Sequence, residues 1–239
     1  MKCGFAKKAL ACMVGAILAA TFLFGCATSA KGSSEAVDAS KGYTVARITG
    51  EPNWDDIDQL DIDDAEWGDS FGISAHAKLC YDDQALYVRI WAEEQDIRAT
   101  YLPDDPDAKC YEDSCLEFFL APMEGDARYM NFEFNPNCAV CNEIGTQKTN
   151  RERLHPAADV LDATPSRIDG GWEISYRIPF DYLRSFYPGF APASGTQMHG
   201  NFYKCGNLTA NKHYLVWNHV NSDTPNFHVP ESFGVLVLE

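Results

Sequence analysis

The sequence predicts an all-β protein, an antiparallel β-sandwich of the jelly-roll type. Three observations support this class. Apolar and polar residues alternate in many short runs, and a period of two is typical of strands with one buried face. Clusters of turn-forming residues separate these runs. Only the short segment 181–186 has a helical pattern. Many short strands with turns between them are typical of sandwiches and barrels.

The first predicted strands are Ile73 to Leu79 and Leu86 to Ile90, where apolar residues recur at alternate positions. The turn residues Asp82-Asp83-Gln84 separate them, so we expect a hairpin. Segments 113–120 (DSCLEFFL) and 128–135 (RYMNFEFN) form the next predicted pair. The remaining predicted strands are 172–178, 198–205, 213–217 and 233–238.

The pair formed by 113–120 and 128–135 has one apolar and one polar face. Folding it about the turn near Glu124 places Glu117 roughly opposite Asn131. The polar face is either a solvated outer surface, which antiparallel sheets often have, or the wall of a binding site. It gathers the side chains of Asp113, Glu117, Asn131, Glu133 and Asn135.

Residues 1–25 have the layout of a signal peptide, with a lysine-bearing start and a long uncharged run. The sequence Leu23-Phe24-Gly25-Cys26 is similar to a bacterial lipoprotein cleavage box. Cys26 would then carry a lipid that holds the protein on the extracytoplasmic face of the cell membrane. The alternative is a transmembrane anchor, but the run is short for a span of ~20 residues. Residues 26–42 are predicted to be a flexible tether, and 43–239 the sandwich domain.

The chain is strongly acidic, with a formal net charge of −16. Removing residues 1–25 takes away three lysines and no acid, so the charge becomes −19. Such a body does not suit a nucleic acid or an anionic membrane surface. A neutral ligand or a cation fits better.

Six of the nine cysteines lie in the predicted domain. An even number in an exported domain favours disulfides, whose connectivity the sequence leaves open. The Cys138-x-x-Cys141 pair is compatible with a zinc or redox site, but it has no second such pair at zinc-site spacing. The six are Cys80, Cys110, Cys115, Cys138, Cys141 and Cys205.

The polar face favours binding over catalysis. Asp113 and Glu117 are four residues apart on one strand, hence ~13 Å apart, which is too far for the two carboxyl groups of a glycosidase. Glu117 and Glu133 are close enough, but no nucleophile, metalloprotease or phosphate-loop motif accompanies them. Carboxylates and amides bind sugar hydroxyls, and aromatic rings cover sugar ring faces. The candidate aromatic residues are Tyr111, Trp217 and Phe227.

Several segments together resemble the family 9 carbohydrate-binding modules, in particular the branch of stand-alone domains in bacterial secreted proteins. The segments are YDDQALYVRI, DSCLEFFLAP, YMNFEFN, GGWEISYRIPF, HGNFYKCGNLTANKHYLVWN and NFHVPESFGVLVL.

The resemblance implies a jelly-roll sandwich that holds the end of an oligosaccharide or polysaccharide between two aromatic rings. It assigns ligand roles to Glu117, Asn135 and Phe227. A family tryptophan is replaced by Cys110 with Tyr111 beside it, and a disulfide from Cys110 to Cys138 would remodel the cleft.

The same resemblance implies structural calcium. The run WDDIDQLDIDD offers Asp61, Asp63 and Asp64 as metal ligands, although it lacks the glycine and closing glutamate of an EF-hand loop. A solvated acidic loop is the alternative interpretation. No other cofactor is expected.

The leading hypothesis is non-catalytic carbohydrate binding at the outer face of the cytoplasmic membrane, for a neighbouring transporter or glycoside hydrolase. A haem b redox protein is the first alternative, because related sandwich domains bind haem through methionine with lysine or histidine. An interaction domain with a non-functional sugar cleft is the second. The haem ligands would come from Met130, Met198, His199 and Lys204.

Overall fold

A computed structural model describes residues 40–239 of the chain. The predicted signal peptide, Cys26 and most of the tether lie outside the described residues. The strands are β1 (Gly42–Arg47), β2 (Leu60–Ile62), β3 (Ser74–Tyr81), β4 (Ala85–Glu93), β5 (Cys115–Ala121), β6 (Tyr129–Phe134), β7 (Val140–Gly145), β8 (Glu152–Leu154), β9 (Thr164–Ile168), β10 (Gly171–Pro179), β11 (Gln197–Gly206), β12 (His213–Val216) and β13 (Gly234–Leu238). The α-helices are α1 (Ala158–Leu161) and α2 (Phe180–Phe186).

The strands form two sheets that β1 joins. One sheet has the order β8-β7-β6-β5-β11-β13, and the other has the order β3-β4-β10-β9. β1 pairs in parallel with both β13 and β3, whereas the other strand pairs are antiparallel. β12 adds to β11, and β2 adds to β3. The all-β prediction is confirmed, with the two parallel pairings of β1 as the departure from an antiparallel sandwich. The jelly-roll arrangement stays a prediction.

The main core lies between the two sheets, because alternate residues of β5, β6 and β11 pack in one cluster with residues of β3, β4 and β10. The rings of Phe134 and Tyr176, one from each sheet, are 4.7 Å apart between centroids. Phe118 and Phe202 stack on neighbouring strands at 4.3 Å. Burying each such side chain contributes about 1.5–3 kcal/mol, so these apolar faces fix which side of each strand is internal.

The strands with clear alternation are found where the sequence predicts them. β3 and β4 form the expected hairpin, with Tyr81 opposite Leu86, and α2 matches the predicted helical segment. Strands β1, β2, β7, β8 and β9 are not predicted by the sequence pattern. β9 is an exposed edge strand with a proline, and β2 and β8 are only three residues long. Such strands carry little hydrophobic signal.

No helix between residues 40 and 239 has both the length and the apolar character needed to cross a membrane.

Candidate functional site

The sheet of β5, β6, β7 and β11 has a second buried cluster on the face that points away from the main core. Alternation produces this cluster, because odd-numbered residues of these strands point to the outer face and even-numbered ones to the main core. Two segments help to cover it: the region around the 3₁₀ turn Cys110–Glu112, and the loop 217–233. The polar face predicted from the sequence is therefore not a solvated surface.

A cavity of about 800 Å³ opens on this face. Its lining combines aromatic rings with acidic, basic and amide side chains, and its floor includes two thiols. The lining residues are Asp107, Lys109, Tyr111, Glu117, Glu133, Cys141, Glu143, Lys148, Arg153, Cys205, Asn207, Tyr214, Pro225, Asn226, Phe227 and His228.

A row of side chains crosses four strands under the cavity. Tyr203 lies opposite Glu117, Glu117 opposite Glu133, and Glu133 opposite Cys141. The predicted register, with Glu117 opposite Asn131, is therefore wrong by two residues, and Asn131 lies opposite Phe119 instead. A two-residue shift keeps every side chain on its predicted face.

The two floor carboxyl groups are almost completely buried, with Glu117 2% and Glu133 4% exposed. Burial raises the pKa of Glu117 well above its ordinary value, and the neighbouring Cys205 raises it further. Burial also raises the pKa of Glu133, to which the charges of Glu117 and Glu143 add. A raised pKa widens the pH range over which a carboxyl group is protonated, and in that form it can both donate hydrogen bonds to sugar hydroxyl groups and accept them.

Basic side chains brace one wall of the cavity. Arg153 lies 3.3 Å from Glu143 and donates to the carbonyl oxygen of Ala108. Arg151 lies 3.4 Å from the same carboxylate and donates to the amide oxygen of Asn131. This wall is therefore held by charge-assisted hydrogen bonds, which are among the stronger side-chain contacts.

Tyr111 and Phe227, two of the predicted sugar-stacking residues, line the cavity. Tyr111 is 37% exposed and has a free ring surface. Phe227 is mostly buried, since its ring stacks on Tyr203 at a centroid distance of 4.1 Å. Tyr214, which the sequence analysis did not select, also lines the cavity and meets Phe227 edge to face at 6.0 Å. Tyr111 and Tyr214 thus offer more ring surface than Phe227.

Two other predicted ligands do not line the cavity. Trp217 belongs to the main core, where its ring packs edge to face on Phe202 at 6.1 Å. Asn135 is fully buried, and its amide nitrogen donates to Asp113 and to the Tyr101 carbonyl, both at 2.9 Å. Its amide oxygen accepts from the backbone nitrogen of Ala139. Asn135 therefore fastens the segment that carries Tyr111 rather than facing the cavity.

Replacing Asn135 by alanine is expected to lower the free energy of unfolding by about 1–3 kcal/mol, because it leaves buried partners without hydrogen bonds. Urea denaturation measures the loss. The exposed Asn53, whose side chain bonds to Asp56 alone among residues 40–239, is a matched control, and Asn53→Ala should change stability by less than about 0.5 kcal/mol. Equal effects of the two variants would contradict the structural role of Asn135.

The predicted disulfides are absent from the described residues, where the six cysteines are free thiols. The proposed partners Cys110 and Cys138 turn to different groups, since their thiols contact the carbonyl oxygens of Ala139 and Ala163, respectively. The prediction of a disulfide between Cys110 and Cys138 is therefore wrong. Four thiols gather instead in the cluster around the cavity: Cys110, Cys115, Cys141 and Cys205.

The acidic run does not converge on one point. Asp61 binds Gln59 and His76 at 2.6 Å and 2.7 Å. Among the described residues, Asp64 groups with Glu66 and His219, whose ligand atoms lie within 4.8 Å of one another, and neither Asp61 nor Asp63 belongs to this group. Calcium prefers oxygen ligands, so a set with an imidazole does not fit it well. Structural calcium at this run stays a prediction.

The haem-ligand candidates do not gather at the cavity. Met130 and Met198 are buried in the main core, and Lys204 is fully buried in an ion pair with Glu94. His199 is also absent from the cavity lining.

Three residues of the cavity lining were not predicted from the sequence: Glu143, Arg153 and His228. Glu143 and Cys141 share a face in β7, and the alternation of VCNEIG was a usable signal for them. His228 lies on a loop and bonds to Tyr129 at 2.8 Å. Burial, with the nearby Arg151 and Lys148, lowers the pKa of His228 to about 3. No local sequence pattern predicts that His228 lines the cavity.

Comparison with known proteins adds a family match and several similar folds. The model for carbohydrate-binding family 9 matches residues 53–238. No curated protein matches the chain significantly.

Three of the similar solved structures come from two organisms. A Bacteroides uniformis protein proposed to bind carbohydrate superposes with a TM-score of 0.72 and 24% identity, over 84% of this chain and 100% of that one. A family 9 module from Caldicellulosiruptor kristjanssonii in complex with glucose gives a TM-score of 0.59 and 14% identity, over 83% and 96%. The complex of such a module from the same organism with cellotriose gives a TM-score of 0.59 and 15% identity, over 83% of this chain and 94% of that one. At these identities the similarity shows the fold.

Proposed function

Because the chain belongs to carbohydrate-binding family 9, we propose that it binds carbohydrate in the cavity above β5, β6, β7 and β11, as a binding module without catalytic activity. The ligand is the end of an oligosaccharide or polysaccharide. Tyr111 and Phe227 contact the sugar ring, and Glu117 binds its hydroxyl groups.

One observation carries this proposal: a single cavity of about 800 Å³ combines exposed ring surface with buried carboxyl groups. This volume falls within the range of small-ligand pockets. Sugars present apolar ring faces and hydroxyl edges, so they need both kinds of group in one place. The polar groups are braced by Arg151 and Arg153, which keeps them in fixed positions before a ligand arrives.

A glycan array followed by calorimetric titration tests the proposal, with glucose and cellotriose as the first defined ligands. Replacing Tyr111 by alanine should weaken sugar binding about tenfold, because loss of one stacking surface costs about 1.4 kcal/mol. Phe71→Ala is the matched control, since Phe71 is an exposed aromatic residue outside the cavity lining, and it should bind as tightly as the wild type. Absence of binding to every glycan would favour the interaction-domain alternative.

The proposed location is the extracytoplasmic face of the cell membrane, with a lipid on Cys26. The charge-free run before Cys26 and the polar segment after it support this. There the domain would present glycan to a transporter or glycoside hydrolase. Mass spectrometry of the membrane-extracted protein tests the anchor, and an N-terminus other than an acylated Cys26 would contradict it.

A further inference from the structure

Two cysteines and a glutamate converge on the floor of the cavity. Cys115 and Cys205 lie directly opposite each other on β5 and β11, and Glu117 is the next residue of β5 on the same face. The ligand atoms of the three residues all lie within 4.8 Å of one another. The thiol of Cys205 donates to Glu117 Oε1 at 3.0 Å.

All three residues are buried, but the cavity reaches two of them. Cys205 and Glu117 form part of the cavity lining, whereas Cys115 is fully buried beside them. The cavity therefore gives a route from solvent to two of the three groups. This access from solvent distinguishes Glu117 and Cys205 from residues that are only packed in the core.

A second observation points independently to a cation. Glu133 lies directly opposite Glu117, so their Cβ atoms are within about 5.5 Å. One of its oxygens accepts from Asn131, but Oε2 is buried and has no hydrogen-bond partner within residues 40–239. An unsatisfied buried carboxyl oxygen is costly. This one lies in the same floor as the two cysteines and Glu117.

We propose that the protein binds one zinc ion, or a similar thiophilic divalent cation, through Cys115, Cys205 and Glu117. Thiolate and carboxylate ligands in a set of three, with a fourth position open, are typical of zinc sites that remain accessible. Calcium and magnesium do not take sulfur ligands. Each thiol, and the Glu117 carboxyl group where it is protonated, releases its proton to solvent as its bond to the metal forms. Glu133, opposite Glu117 on the neighbouring strand β6, lies beside this group.

Metal titration of the purified, reduced protein tests the site. The protein should bind one equivalent of zinc at this site by calorimetry, and cobalt(II) should give thiolate-to-metal charge-transfer absorption. Cys115→Ser and Cys205→Ser should each weaken zinc binding at least tenfold and reduce this absorption. Glu117→Gln should weaken binding while the absorption from both thiolates remains, so a variant that keeps both cysteines provides a second test.

Two matched variants show whether the effect belongs to this cluster. Cys80→Ser removes a buried thiol on β3, in the other sheet, and should leave both signals unchanged. His219→Gln removes a ligand from the Asp64, Glu66 and His219 group, which contains no sulfur, and should leave the charge-transfer absorption unchanged.

Three results would overturn the proposal. The first is that the reduced protein binds no zinc. The second is that bound cobalt(II) shows no thiolate absorption, and the third is that the two cysteine variants bind zinc as tightly as the wild type. Peptide mapping of the protein as isolated adds a fourth, because a disulfide between Cys115 and Cys205 would mean that these thiols serve as a cross-link. Zinc binding and sugar binding are measured separately, and the two cysteine variants test the zinc site without changing Glu117, which both proposals use.

Discussion

Replacing Lys204 by methionine is expected to lower the free energy of unfolding by about 3–5 kcal/mol, because it leaves the carboxylate of Glu94 buried without its cation. Lys204 is fully buried, and its Nζ lies 3.2 Å from Glu94 Oε2. Methionine preserves much of the volume of the side chain, so the cavity cost is small. Guanidinium denaturation of wild type and variant measures the difference.

The size of this effect follows from how completely the pair is enclosed. Glu94 is 3% exposed. Its carboxylate also accepts hydrogen bonds from Ser114 Oγ at 2.8 Å and from Trp172 Nε1 at 3.1 Å. Lys204 donates to the carbonyl oxygen of Cys205 as well. Without the ammonium group, these neutral donors are left to stabilise a charge that water cannot reach.

A double variant separates the pair from the packing around it. Lys204→Met combined with Glu94→Gln should recover a large part of the lost stability, because no buried charge remains. The exposed pair of Arg47 and Asp83 is the matched control, and Arg47→Met should cost less than about 1 kcal/mol. If Lys204→Met cost no more than Arg47→Met, the buried pair would not contribute as described.

Alternation along single strands was enough to predict most of the fold and part of the site. It placed Glu117 and Glu133 on one face, and the neighbouring segments supplied Tyr111 and Phe227. It also contained a signal that was not used: in MHGNFYKCG, Lys204 shares its parity with Met198 and Phe202. A lysine on the apolar face of a strand indicates a buried partner, and only the fold identifies that partner as Glu94.

The remaining features depend on contacts between segments far apart in sequence. Asn135 has the right parity for a ligand, but Asp113 and the Tyr101 carbonyl capture its amide. The residue opposite Glu117 depends on the turn between β5 and β6. Alternation of side chains does not distinguish registers that differ by two residues, because both keep every side chain on the same face. Cysteine pairing depends on which thiols the fold brings together, and an even number of cysteines does not show which ones these are.

His213 is expected to make the fold less stable in acid. Its Nε2 lies 2.7 Å from Lys204 Nζ, and its Nδ1 lies 2.6 Å from the carbonyl oxygen of Asn211. A carbonyl only accepts and an ammonium only donates, so Nδ1 carries the proton and Nε2 is the free acceptor. Burial and the charge of Lys204 lower the pKa of His213 from 6.5 to about 4.

The sign of the effect follows from this lowered pKa. Between pH 6.5 and 4, His213 is protonated in the unfolded chain but neutral in the folded chain. The free energy of unfolding therefore decreases as the pH falls towards 4. The full contribution is about 3 kcal/mol at 1.36 kcal/mol per unit of pKa. It is complete above pH 6.5 and is lost progressively between pH 6.5 and 4.

His213→Gln should remove this part of the acid sensitivity, because the glutamine amide oxygen still accepts from Lys204 but does not titrate. The stability of the wild type minus that of the variant, from urea denaturation at several pH values, should fall by about 3 kcal/mol from pH 7 to pH 4. Taking this difference cancels the titration of other groups, including His228, whose pKa is lowered to about 3. Parallel curves for the two proteins over that interval would mean that Nε2 accepts a proton in the folded state, which is incompatible with a lysine ammonium 2.7 Å away.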